Sequence, residues 1–181
     1  ARTSEQSVTA ADRRLEREAL GLSIGQSRLT VTPLQMARLL ACVANDGWLV
    51  TPHVVSDEGT ARRASEMDTS PYRATRHRIP GVSSETLSAV RSGLAAAIEE
   101  PTGTGFKTVR LPGVTIAGKT GTAETSPGKP DHAWFTGYVP ANNPRYVIVV
   151  VLEHGGSGSK AAGPIAREIV RSMSERGMLS L

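Results

Sequence analysis

The 181-residue sequence predicts an α+β domain, an antiparallel three-stranded sheet packed by helices. Three observations carry that reading. Two segments, after Thr32 and after Ser83, join a capping residue to apolar side chains at helical spacing. Three runs, about 114–122, 132–140 and 145–153, have strand patterning and connectors too short for a crossover, so neighbours run antiparallel. A final helical stripe, about 163–176, follows the strands.

Taken in order, "ADRRLEREAL" (11–20) reads as a short polar helix. The next helix spans about 33–46: Thr32 is the N-cap, Pro33 fits the first turn and Gln35 completes a T-x-x-Q capping box. Met36, Leu39, Leu40 and Val43 fall on one face, and Gly47 supplies the stop. "WLVTPHVV" reads as a short strand pair or extended segment, and 57–80, without a clear period, as a surface excursion. Ser83 or Ser84 opens the helix of about 84–100, with Leu87, Val90, Leu94 and Ile98 as its stripe and Pro101 with "TGTG" as its end. In the first strand Val114, Ile116 and Gly118 alternate with Thr115, Ala117 and Lys119, which points the lysine away from the apolar side chains. "AWFTGYVP" is the second strand; "RYVIVVVLE" is the third, and its unbroken β-branched core predicts burial on both faces. "GGSGSKAAG" reads as a flexible link to the last helix, whose stripe is Ile165, Ile169, Val170 and Met173, with Gly177 closing it.

The charge balance is basic, 21 Lys and Arg against 17 Asp and Glu, which favours anionic partners. Nucleic acid is the poorer choice among them. Arg62, Arg63, Arg73, Arg76 and Arg78 crowd one polar segment, and two Phe, two Trp and three Tyr supply little stacking surface. A single cysteine, Cys42, excludes an internal disulfide and a cysteine zinc site; its place in "LLACVAN" predicts inert packing. No signal peptide or membrane span is visible, and the opening "ARTSEQ", without methionine, is expected of a segment of something longer.

The candidate chemistry lies in "VTIAGKTGTAE", 114–124. "GVTIAGKT" fits the bare phosphate-loop pattern, yet 114–118 alternates like a strand, and Gly121 with Pro127 argues against a following helix. The alternative places Lys119, Thr120, Gly121 and Thr122 on a strand bordering a cleft. There a cation attracts a carboxylate, hydroxyls hydrogen-bond it, and Gly121 lets a ligand approach the backbone. The Thr122 N–H could stabilise a developing oxyanion.

"GKTGTAE" resembles the K-T-G motif of penicillin-binding proteins and serine β-lactamases. "IGQSRLTVTPLQMARLLACVANDG" resembles the corresponding helix start in class B penicillin-binding proteins, and "HAWFTGYVP" and "YVIVVVLEHGGSGSKAAGPIAREIV" follow in that family's order. The resemblance covers most of 20–176 and implies a β-lactamase/transpeptidase-like fold, with 1–181 as the C-terminal portion of one peptidoglycan D,D-transpeptidase domain. It implies that Lys119 binds the substrate carboxylate and sets the site's electrostatics, and that Thr120 and Thr122 donate hydroxyls to that carboxylate. The Thr122 N–H would be half of the oxyanion hole. It further implies stem peptides ending in D-Ala-D-Ala, β-lactams and cell-wall synthesis proteins as partners, no metal or organic cofactor, and an extracytoplasmic, membrane-anchored parent. The family's nucleophile belongs to S-x-x-K, upstream of K-T-G, with S-x-N between them. No S-x-N occurs here, and the formal Ser157-Gly158-Ser159-Lys160 lies after the last strand, where a flexible turn is the simpler reading. This chain is therefore expected to lack the N-terminal part of its domain, nucleophile included, and to be inactive alone. A β-lactam-binding sensor domain and a non-catalytic structural pseudoenzyme are the rival readings.

Other candidates have plainer readings. Asp131 and His132 adjoin on a strand and point to opposite faces, which favours framework over an acid/base pair. His53, His77 and His154 lack metal-ligand spacing, Glu99 and Glu100 read as a solvated helix end, and Trp134 and Phe135 as strand packing.

Overall fold

The computed structural model describes residues 10–26, 29–54 and 76–179. Helix α1 (Ala10–Ser23) is followed by α2 (Pro33–Ala44), β1 (Trp48–Val50), β2 (Arg76–Arg78) and α3 (Ser84–Glu99). Then come β3 (Ala117–Ala123), β4 (His132–Val139), β5 (Tyr146–Leu152), a π-helical turn (Gly158–Ala162) and α4 (Gly163–Glu175). The main sheet has the order β3-β4-β5, antiparallel throughout, as the short connectors require.

The capping box of α2 forms as its sequence dictates: Thr32 Oγ1 accepts from Gln35 N–H at 3.2 Å, and Gln35 Oε1 accepts from Thr32 N–H at 2.7 Å. Two orphan donors are thereby satisfied, and α2 lies over one face of β4 and β5. The excursion expected at 57–80 is corrected at its end. Arg76–Arg78 is a strand that pairs with β1, with the Arg76 guanidinium over the Trp48 ring at 5.1 Å; residues 57–75 lie outside the described residues.

Strand alternation divides the sheet into two faces. One carries Thr120, Ala133, Phe135, Val139, Ile148 and Val150 and is covered by the π-helical turn, α4 and Val109. The other carries Ala117, Lys119, Gly121, Trp134, Thr136 and Tyr138, with Leu40 of α2 and Leu94 of α3 packed on Ala117 and Tyr138. Doubly covered β4 is thus the central strand, whereas β5 buries only Ile148 and Val150 fully; burial of β5 on both faces does not hold. The helical stripes are also narrower than their sequence suggested. Leu39, Val90, Ile165 and Ile169 are exposed, while Ala166 and Val170 carry the contact of α4 with the sheet. Cys42 is buried as expected, and burial pushes its thiol pKa up, away from reactivity.

Glu99 is not a solvated helix end. Its Oε1 accepts the Ile116 N–H at 3.0 Å and its Oε2 accepts from Arg110 Nε at 3.1 Å, so the end of α3 is tied to the chain entering β3. Glu99→Ala leaves a donor without its charged acceptor and is expected to cost about 2 kcal/mol. Glu99→Gln, which still accepts from Ile116, should lose about half as much; thermal unfolding of the two variants checks the ranking.

Candidate functional site

The K-T-G segment begins later than its alternation predicts. Leu111 and Val114 form an isolated bridge around a turn, and β3 starts at Ala117, so Lys119 to Thr122 occupy its middle. A strand follows the glycine-lysine pair, not a helix, which removes the phosphate-loop reading. Strand β3 terminates the sheet, and among the described residues no strand pairs with its outer side.

Alternation places Lys119 and Gly121 on the α2 face, and Thr120 and Thr122 on the α4 face. The expectation that one lysine and two hydroxyls address a ligand together is therefore divided. Thr120 is 7% exposed and its hydroxyl donates to Thr104 Oγ1 at 3.0 Å, which spends its proton inside the protein. Thr122 is exposed, and its Oγ1 accepts the Gly158 N–H at 3.1 Å. That hydroxyl keeps its own hydrogen to donate. Lys119 is exposed, and its Nζ turns to the outer edge, donating to the Thr120 carbonyl at 2.8 Å. Lys119 Nζ thus reaches the outer edge of the strand, while the Thr122 side chain leaves it on the opposite face.

One neighbour was not singled out by sequence, and a second was read as packing alone. Gln26, at the end of the "SIGQ" segment, donates from Nε2 to the Thr122 carbonyl at 3.0 Å across 96 residues of chain. Trp134 stands opposite Gly121 on the lysine's face and is half-buried, so it walls the site as well as packing. The family-like "IGQ" spelling was the signal for Gln26, but nothing local announces its partner.

Ser157 to Lys160 are not in a flexible turn. Gly158 is buried against β3 and β4, Ser157 Oγ lies 3.1 Å from Ser159 Oγ, and Lys160 N–H donates to the Ser157 carbonyl. A further formal S-x-x-K, Ser126-Pro127-Gly128-Lys129, occupies the exposed hairpin turn between β3 and β4, where Lys129 N–H donates to the Ser126 carbonyl. Ser157 is the N-cap of the π-helical turn, whereas Ser126 opens a plain hairpin turn. His132 Nδ1 accepts the His154 N–H at 2.9 Å, His154 Nδ1 donates to the Pro130 carbonyl at 2.9 Å, and the Asp131 carbonyl accepts from Gly156 N–H. Asp131 and His132 therefore tie two turns together. Among the described residues no group of three or more His, Cys, Asp or Glu is placed to hold a metal, and no helix is long and apolar enough to cross a membrane.

A helix-covered antiparallel sheet thus carries K-T-G-T on its terminal strand. The chain belongs to the penicillin-binding protein transpeptidase domain family, whose model matches residues 3–171. It is 32% identical over 168 residues to the peptidoglycan D,D-transpeptidase MrdA of Haemophilus influenzae, a match covering 84% of this chain and 25% of the relative. Among solved structures, the complex of penicillin-binding protein PBP2 with MreC from Helicobacter pylori aligns with a TM-score of 0.73 at 27% identity, over 96% of this chain and 29% of that one. The imipenem acyl-enzyme of penicillin-binding protein A from M. tuberculosis aligns with a TM-score of 0.63 at 30% identity, over 84% and 33%. The chain thus spans about a quarter to a third of the length of these relatives.

Proposed function

We propose that this chain is the C-terminal portion of the catalytic domain of a serine peptidoglycan D,D-transpeptidase, and that β3 is its carboxylate-binding and oxyanion wall. A serine from another part of the domain attacks the carbonyl of the penultimate D-Ala of a stem peptide. The bond to the terminal D-Ala breaks, and that D-Ala leaves with a proton. An amine of a second stem peptide then attacks the ester, forming the cross-link and returning the serine. Lys119 pairs with the terminal carboxylate, the Thr122 hydroxyl donates to the same group, and the Thr122 N–H donates to the oxyanion, beside the N–H of the serine. Thr120 acts indirectly, holding Thr104 and with it the loop behind the strand. A β-lactam presents the same carboxylate and carbonyl. The chemistry calls for no metal or organic cofactor, and the place of action is the extracytoplasmic face of the membrane, beside other cell-wall synthesis proteins. The relative solved in complex with MreC and the one captured as an imipenem acyl-enzyme support those partner classes.

The observation that carries the proposal is the exposure of Lys119 and Thr122 on the terminal strand β3, the ammonium at its outer edge and the Thr122 hydroxyl still able to donate. Fluorescent penicillin tests it. The full-length protein is expected to label covalently and this chain alone to remain unlabelled. A folded full-length protein that takes no label contradicts the proposal, and a stoichiometric adduct on this chain alone would place the nucleophile here. Labelling without cross-linking of peptidoglycan would favour a sensor.

A further inference from the structure

We propose that His132 and His154 form a pH-sensitive latch between the start of β4 and the turn that joins β5 to α4, closed while both rings are neutral and opened by protonation of His132. The latch is independent of the acyl-transfer reading above. Its basis is that the hydrogen bonds fix which ring nitrogens carry protons. His132 Nδ1 accepts the His154 N–H at 2.9 Å, so that nitrogen holds a lone pair and the ring's single proton sits on Nε2. His154 Nδ1 lies 2.9 Å from the Pro130 carbonyl, which only accepts, so there the proton sits on Nδ1. The ring centroids are 4.8 Å apart, with the planes tilted by 39°. His154 itself is at φ 54°, a left-handed conformation that a residue other than glycine keeps only where its surroundings hold it. Three bonds hold it: its N–H on His132, its ring on Pro130, and the Gly156 N–H on the Asp131 carbonyl at 2.8 Å.

A proton can join the neutral His132 ring only at Nδ1, where the lone pair is. Once it is there, one N–H faces another, and the bond between β4 and residue 154 is lost. His154 takes its own second proton on Nε2 and keeps its bond to Pro130, but two charged rings at this separation repel. The charged groups around the pair are few. Glu124, Lys129 and Glu153 line the same cavity as the two rings, Asp131 adjoins His132 in the chain, and β3 places Ala123 opposite His132 in the ladder. The cavity's two carboxylates against one ammonium favour an incoming proton, while the bond to His154 excludes it from the closed form. The proton therefore binds the open form, so the latch is complete above the ordinary imidazole range, about 6.5, and is lost as pH falls through it. The turn it holds runs directly into the π-helical turn, whose Gly158 lies against the Gly121 and Trp134 carbonyls. Acid thus loosens the entry to α4.

Amide hydrogen exchange of the full-length protein, read by mass spectrometry on peptides covering 153–158 at about pH 8 and about pH 5 and corrected for intrinsic rates, tests the latch. Protection of this segment is expected to fall about tenfold on acidification, the scale of one lost hydrogen bond. His132→Asn hangs an acceptor oxygen on Cγ, where histidine carries Nδ1, and does not titrate. Its protection should change less than about twofold over the same range. His132→Phe keeps a ring without an acceptor and should be poorly protected at both pH values. Equal protection of the unsubstituted protein at both pH values overturns the proposal, and that comparison needs no variant to fold. So does a fall in His132→Asn as large as in the unsubstituted protein. An equal fall in a peptide of α3, 87–98, would assign the change to global acid unfolding and overturns it as well.

Discussion

Replacing Lys119 by alanine is expected to slow acylation of the full-length protein by a penicillin about 100-fold, the scale of losing one partner of a charge-assisted pair in a site closed around its ligand. The loss should fall on productive binding and acylation together, because the ammonium meets a carboxylate that both steps retain. Lys119→Arg keeps the charge on a wider, planar group and should recover only part of the rate. Substituting Thr120 by serine or valine provides the contrast. That hydroxyl is turned inward to Thr104, so serine should be near neutral, and valine should act through stability more than through the carboxylate.

The second large effect is structural. A Cβ on Gly158 would stand 2.0 Å from the Gly121 carbonyl oxygen and 2.6 Å from that of Trp134, both backbone atoms of the sheet. No rotamer relieves such a contact, so Gly158→Ala must lift the π-helical turn off β3 and β4. The expected cost is about 3 kcal/mol, which lowers the thermal midpoint by about 6–12 °C in a protein or domain of this size. Because Gly158 N–H also holds the Thr122 hydroxyl, acylation should fall along with stability. Gly93→Ala is the control: nothing lies within 4 Å of a Cβ there, in the middle of α3, and it should stabilise by about 0.5–1 kcal/mol. Equal midpoints for the two variants would contradict the packing described for the turn.

Local signals in the sequence were reliable where the physics is local. The T-x-x-Q box at Thr32 names its own partners three residues away, and it forms as read. The three strands follow from alternation and short connectors, with β3 displaced because the Leu111–Val114 turn mimics the strand period before the ladder begins. What was illegible depends on chain brought from elsewhere. Glu99 meets the Ile116 N–H only because α3 ends beside the entry to β3. Leu39, Val90 and Ile169 obey helical spacing but lie at the margins of the contact, since spacing fixes a face and not how much of it is covered. "GSGSK" has the composition of a linker, yet its glycine is required by close approach to the sheet. For the site, the motif named Lys119, Thr120 and Thr122 correctly as neighbours on a strand. It could not say that the Thr120 hydroxyl turns inward to Thr104, nor that Gln26 reaches the carbonyl of Thr122, because a buried partner and a contact across 96 residues are tertiary facts.

The central claim is that Lys119 on β3 recognises a ligand carboxylate, and a double-mutant cycle tests it most directly. Acylation rate constants are measured for a β-lactam acid and its methyl ester on the full-length protein and on Lys119→Ala. If the ammonium and the carboxylate are partners, esterification slows the unsubstituted protein about 100-fold but the variant less than about threefold, because the variant has already lost the interaction. The same penalty for the ester in both proteins would show that the two groups do not meet, and would contradict the account of this strand.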